Sequence, residues 1–163
     1  MRKVPKKLLI FALLSLVILS LVIIFGFQAL SSAPLYQQGT EEGHGYKIFS
    51  LELPSELQAG TKVDGSISLQ LWNEIGCPTC VQQFLIIPEW DPTNPVCIYS
   101  GVPGTYPGEL IKRNFTLELP STAGRYGIYV FRALQYGCPD AVDFFLSEGG
   151  LSVASKVKEI EVS

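Results

Sequence analysis

The chain has 163 residues with 12 Lys and Arg against 15 Asp and Glu, a formal net charge of −3, and one His, one Met and four Cys. That length suits one domain with a self-sufficient core. Four cations (Arg2, Lys3, Lys6, Lys7) precede the first acid, so the remainder sets eight cations against fifteen acids, a charge of −7. Such a body lacks the clustered Lys and Arg that displace counterions from DNA or RNA, and nucleic-acid binding is excluded as a class.

Residues 1–7 read as a cytoplasmic basic tail. Leu8 to Phe27 is a 20-residue run in which Ser15, Ser20 and Gly26 are the members outside the apolar set. As a helix it is about 30 Å long, the thickness of a bilayer's hydrocarbon core. Residues 8–30 are therefore predicted to form a single transmembrane helix, a signal anchor in contact with membrane lipid. The basic flank stays in the cytoplasm and leaves the C-terminal domain outside the cell membrane. The rival reading is a secreted protein released by cleavage near Ala33, since Ser31-Ser32-Ala33 has the small-residue spacing of a cleavage site. Against it, signal-peptide apolar regions run about 7 to 15 residues, and Pro34 directly follows the cut. Residues 31–45 are polar and Gly-bearing without periodicity, and are predicted as a stalk.

From 46 to 163 the pattern is that of strands with one buried and one wet face. Phe49, Leu51 and Leu53 form one inward set. Val63, Ile67, Leu69 and Leu71 form a second, and Ile111, Phe115, Leu117 and Leu119 a third. Further β-rich runs are Val81 to Ile87, Val96 to Tyr99, Tyr126 to Leu134 and Val157 to Val162. Turn chemistry separates them at Pro54-Ser55, Asp64-Gly65, Pro88 to Pro95 and Gly101 to Gly108. About seven short strands at this spacing predict an all-β, antiparallel β-sandwich. One short helix is expected at Asp140 to Ser147, opened by Pro139 and stopped by Gly149-Gly150, crossing one end of the sandwich with Phe144 or Phe145 pointing in.

Cys77, Cys80, Cys97 and Cys138 are an even number on the exported side, which reads as two disulfides. Three pairings are open. Cys97 with Cys138 is favoured because both lie in or at the end of aromatic-rich strands, leaving Cys77 and Cys80 to close the Cys-Pro-Thr-Cys loop. That loop also has the spacing of a thiol–disulfide redox centre, but the residues after Cys80 are β-branched and end at Pro88 instead of forming a long helix. A zinc site wants two such pairs and finds one.

Pro120 to Tyr126 lies between an alternating strand and the run from Gly127 to Leu134. Tyr126 resembles the corner tyrosine of immunoglobulin-like and fibronectin-like sandwiches, whose hydroxyl turns back onto the preceding corner. The resemblance spans Phe49 to Val162, and the pairing of disulfide with core Trp found in antibody domains is not matched. Small anchored sandwiches of this look are used in the envelopes of prokaryotes, archaea among them, which implies a cell-surface protein.

Blue copper needs two His, a Cys and an axial Met, and His44 and Met1 are alone of their kinds. No Gly-x-Ser-x-Gly, Ser-x-x-Lys, phosphate loop or dinucleotide fingerprint occurs. Asp91, Asn94, Asp140 and Asp143 lack a calcium-loop signature. The expectation is a non-enzyme without metal or cofactor. Its candidate partner-binding residues are Trp90 and Asp91 in a Pro-stiffened loop and Tyr106 in the Gly-Pro-Tyr loop, suited to an extracellular or envelope protein or a glycan. Trp90 folded back over an open end of the sandwich is the equal alternative. Asn114-Phe115-Thr116 is a glycosylation sequon. Binding, adhesion or structural support at the surface is the expected role, with an accessory subunit of a membrane complex and a Cys77–Cys80 redox protein as alternatives.

Overall fold

The computed structural model describes residues 34–163, and the predicted tail, the 8–30 helix and the cleavage site near Ala33 lie outside them. Eight strands form two four-stranded antiparallel sheets. The first runs β1 (Tyr36–Gln38), β2 (Gly45–Glu52), β3 (Lys62–Trp72), β6 (Leu110–Glu118) in spatial order. The second runs β5 (Val96–Gly101), β4 (Gln82–Pro88), β7 (Gly124–Ala133), β8 (Ser155–Val162). With β1 set aside, β2, β3 and β6 stand where the A, B and E strands of an immunoglobulin-like sandwich stand, and β4, β7 and β8 where C, F and G stand. Among the described residues no helix is long and apolar enough to cross a membrane.

The alternation of β3 and β6 does what period two requires. Val63, Ile67, Leu69, Leu71, Phe115 and Leu117 are buried between the sheets, facing Phe84, Ile86, Ile98, Ile128, Val130, Ile160 and Val162. β4 differs, being buried at all seven positions. Its second face, Leu85 and Ile87, meets Ala133, Ala141 and Phe145 in a separate apolar cluster outside the sandwich. The cover is α1 (Cys138–Ser147), followed by a 3-10 turn, Gly150–Val153.

Four expectations change. Part of the predicted stalk belongs to the sandwich: Tyr36–Gln38 pairs with β2, and Leu35 N donates to Ile48 O at 2.6 Å. Three residues are too few for periodicity to register, and Gly39, at φ +93°, turns the chain where a Cβ would strike the His44 carbonyl. In β2 a bulge between Ile48 and Ser50 resets the phase, so Tyr46, Ile48 and Leu51 face in while Phe49 is only half-buried. Asp64-Gly65 is not a turn but mid-strand in β3, where a Cβ at Gly65 would collide with the Phe115 ring. Finally, α1 lies on the outer face of the second sheet instead of across an end, with Phe145 buried and Phe144 partly exposed, because the two-sided burial of β4 demands a lid there.

Candidate functional site

The structure separates the residues proposed from sequence to bind a partner. Trp90 and Asp91 follow the last residue of β4, beside the Lys62 end of β3. Trp90 Nε1 donates to Glu118 O at 2.8 Å and its ring meets Tyr126 edge-on at 5.5 Å, packed against the main core. Asp91 accepts from Thr93 Oγ1 at 2.9 Å and Asn94 Nδ2 at 2.8 Å, which fixes its own loop. Of the two readings of Trp90, the geometry is that of the folded-back one, with the indole, still partly exposed, lying over that end of the sandwich. Tyr126 Oη donates to Thr122 O at 2.9 Å, the bond of a tyrosine corner.

The opposite end is built from amides. β3 delivers Asn73 and β4 begins at Gln82, both fully buried. Gln82 Nε2 donates to Asn73 Oδ1 at 2.6 Å and to Trp72 O at 2.9 Å. Asn73 Nδ2 in turn donates to Cys80 O at 2.8 Å and Pro78 O at 3.2 Å, gripping the Cys-Pro-Thr-Cys loop by its carbonyls. His44 joins from the β1–β2 connection: its Nδ1 accepts from Glu74 N at 3.2 Å, so the ring proton sits on Nε2, 3.7 Å from Glu74 Oε1. These three residues were missed by sequence reasoning. The available signal was Gln82-Gln83 at the head of an otherwise apolar run, since uncharged amides entering a core must find partners there.

The cysteines pair as Cys77–Cys80 and Cys97–Cys138, with Cα separations of 5.4 and 6.0 Å. The second ties β5 to the start of α1, and buried Gln83 Oε1 lies 3.3 Å from Cys138 Sγ while its amide donates to Gln135 O at 3.0 Å. Cys77 and Cys80 occupy a hydrogen-bonded turn, Cys80 N to Cys77 O at 3.2 Å, followed by β4. The element that follows Cys80 is strand β4 and not the helix that carries a thioredoxin-type Cys-x-x-Cys at its start.

Tyr106 lies at this amide-built end. Its ring meets Trp72 edge-on at 5.3 Å, its hydroxyl accepts from Lys47 Nζ at 3.2 Å, and that ammonium stands 5.0 Å from the Tyr106 ring centre. Tyr106 borders a hollow of about 320 Å³ with Glu41, Glu42, Ile75 and Thr105. A second hollow, about 270 Å³, runs from Cys77, Thr79, Cys80 and Val81 to Leu134, Gln135 and Tyr136. Ile75, Leu134 and Tyr136 are 70 %, 43 % and 89 % exposed. Asn114 stands exposed on the outer face of β6, by an open groove of about 620 Å³ shared with Glu52, Asp64 and Ser66, and Thr116 Oγ1 of the sequon donates to Asp64 Oδ1 at 2.6 Å. Among the described residues no three His, Cys, Asp or Glu gather as metal ligands would.

No protein-family model matches the chain, and no curated protein matches its sequence. Among solved structures the chain is similar to the CARDB domain of a Pyrococcus furiosus protein, crystallised in complex with di-metal ions. The identity is 9 %, the match covers 79 % of this chain and 96 % of that one, and the TM-score is 0.41.

Proposed function

We propose that the chain is a membrane-anchored, extracytoplasmic binding module, non-enzymatic, that recognises a protein of the cell envelope through the Cys77–Cys80 end of its sandwich. The observation that carries the reading is the exposure of Ile75, Leu134 and Tyr136 on one rigidly held end. A protruding tyrosine beside aliphatic side chains is the composition of an interface core more than of a solvated surface. The amide network beneath keeps the loop in shape before any partner arrives, which lowers the entropy cost of binding. The anchor is read from Leu8 to Phe27 and the outward orientation from the basic tail.

The test is site-specific photo-crosslinking in intact membranes, with a benzophenone amino acid replacing Tyr136 in one version and Arg125, near the Trp90 end, in another. A discrete adduct at 136 and none at 125 is expected, with the chain remaining in the membrane fraction after an alkaline wash. Equal adducts at both positions, or a chain found free in the medium, would overturn the reading. An adduct that survives detergent extraction as one defined complex identifies the partner as a stable assembly for which this chain is an accessory subunit. A redox role has one observation in its favour, the hollow that brings solvent to the Cys77–Cys80 pair. Rapid alkylation of Cys77 at acidic pH after mild reduction would replace the binding reading with that one.

A further inference from the structure

The sequon Asn114-Phe115-Thr116 plays no part at the Cys77 end, and the fold gives it a definite setting. It occupies the middle of β6, the end strand of the first sheet. Phe115 is buried in the core, so Asn114 and Thr116 share the outer face, both exposed. Strand pairing sets Ser66 beside Asn114 and Asp64 beside Thr116, and Glu52 of β2 pairs with Ser66. Those neighbours are engaged with one another: Ser66 Oγ donates to Glu52 Oε2 at 3.3 Å, and Thr116 Oγ1 to Asp64 Oδ1 at 2.6 Å. Asn114 takes no part in either bond and borders the open groove of about 620 Å³, whose lining includes the small residues Gly65 and Ser66.

We propose that Asn114 carries an N-linked oligosaccharide, an inference that rests on the outward orientation given above. In that modification Asn114 Nδ2 attacks the anomeric carbon of a sugar carried on a lipid phosphate. A nitrogen–carbon bond forms, the carbon–oxygen bond to phosphate breaks, the lipid phosphate leaves with the electron pair, and one amide proton passes to a base of the membrane transferase. The Thr hydroxyl two residues on belongs to the acceptor signal. In the folded body that hydroxyl is bonded to Asp64 and the strand is paired with β3 along its length. Transfer therefore precedes the closing of β6 onto β3, while the chain emerges. The finished fold accommodates the product, because the first sugar meets the groove and its polar side chains and not the core.

The strand itself gives a second reason. β6 pairs with β3 without a bulge from Leu110 to Glu118, and its other edge bonds to no strand among the described residues. A regular, unpaired edge invites pairing with another chain, and a bulky hydrated group at its midpoint opposes that. Leu134 and Tyr136 follow β7 of the second sheet, so a glycan on the outer face of the first leaves them free for a partner.

The test takes the full chain from the membranes of the cells that make it and weighs it intact. A mass above that of the polypeptide is expected, with peptide fragmentation placing the added sugar on Asn114. Asn114→Gln and Thr116→Ala should lose the whole increment, and Thr116→Ser, which keeps the hydroxyl, should retain it. Because transfer comes before folding, the masses report even on a variant that folds poorly. An unmodified Asn114 in the native chain, or an increment that persists in Thr116→Ala, would overturn the proposal. If protease added outside intact cells digests the body of that unmodified chain, the glycan alone fails; if the body is protected, the outward orientation fails with it.

Discussion

The two ends of the sandwich are finished by different means. At the Trp90 end, rings and the residue that follows β8 do the closing: Trp90 lies on Tyr126, Tyr126 reaches back to Thr122, and Ser163 N donates to Leu57 O while Ala59 N donates to Ser163 O. At the Cys77 end, directional amide bonds from Asn73 and Gln82 hold a short loop from below, the Tyr106 ring packs on Trp72 to one side, and Ile75 and Tyr136 stay exposed. Rings that close an end are used up by the fold. Hydrogen bonds beneath a loop fix its shape and leave its outer surface free, which is why the second end is the one suited to a partner.

The sharpest way to break this contrast is Trp90→Ala. If the indole belongs to the fold, its loss leaves a hole against Tyr126 and an unpaired Glu118 carbonyl, and stability should fall by about 3 kcal/mol. Chemical denaturation followed by far-ultraviolet circular dichroism measures it. Removing Tyr136, 89 % exposed, should cost less than about 0.5 kcal/mol by the same measurement. A Trp90→Ala loss as small as that would return the ring to the list of free contact residues.

The contrast also marks where the sequence was legible. Strands whose two faces differ announce themselves, and β3 and β6 lie where the alternation of Val63 to Leu71 and Ile111 to Leu119 puts them. Tyr126 was legible because a corner needs a Pro-Gly turn and a ring in fixed order. β1 was not, because three edge residues carry no period and their pairing with β2 is set by the Gly39 turn. The helix was found but misplaced: Val81 to Ile87 reads as one buried strand, and nothing local says that a helix over fifty residues later covers its second face. The site was least legible. Trp90 reads equally as a contact residue and as a cap in sequence, and its place over Tyr126 is visible only in space, whereas Asn73, Gln82 and His44 come from three separate segments that only tertiary pairing unites.

Asn73→Ala probes the other half of the contrast. It removes the partner of Gln82 Nε2 and releases the Cys80 and Pro78 carbonyls. Leaving buried amides and carbonyls unsatisfied should cost about 2 kcal/mol. Faster hydrogen exchange should be confined to residues 73–82, while the amides around Trp90 keep their protection. Exchange that rises equally at both ends would mean the network supports the whole sandwich and not a single loop.

Cys77→Ala with Cys80→Ala should do less than Asn73→Ala, although it breaks a covalent bond. On the chain-entropy account a separation of three residues contributes about 1.6 kcal/mol at most, against about 4 kcal/mol for the 41-residue interval closed by Cys97–Cys138. The turn bond from Cys80 N to Cys77 O and the grip of Asn73 remain when the sulfurs go. The loop should then keep its hydrogen-exchange protection, and crosslinking at position 136 should survive. In a double-mutant cycle with Asn73→Ala the two losses should couple, because each restrains what the other leaves mobile. Strict additivity would mean that disulfide and network act on separate parts of the loop, and a loss above 2 kcal/mol for the cysteine pair alone would make the covalent bond, not the amides, the device that holds this end ready for its partner.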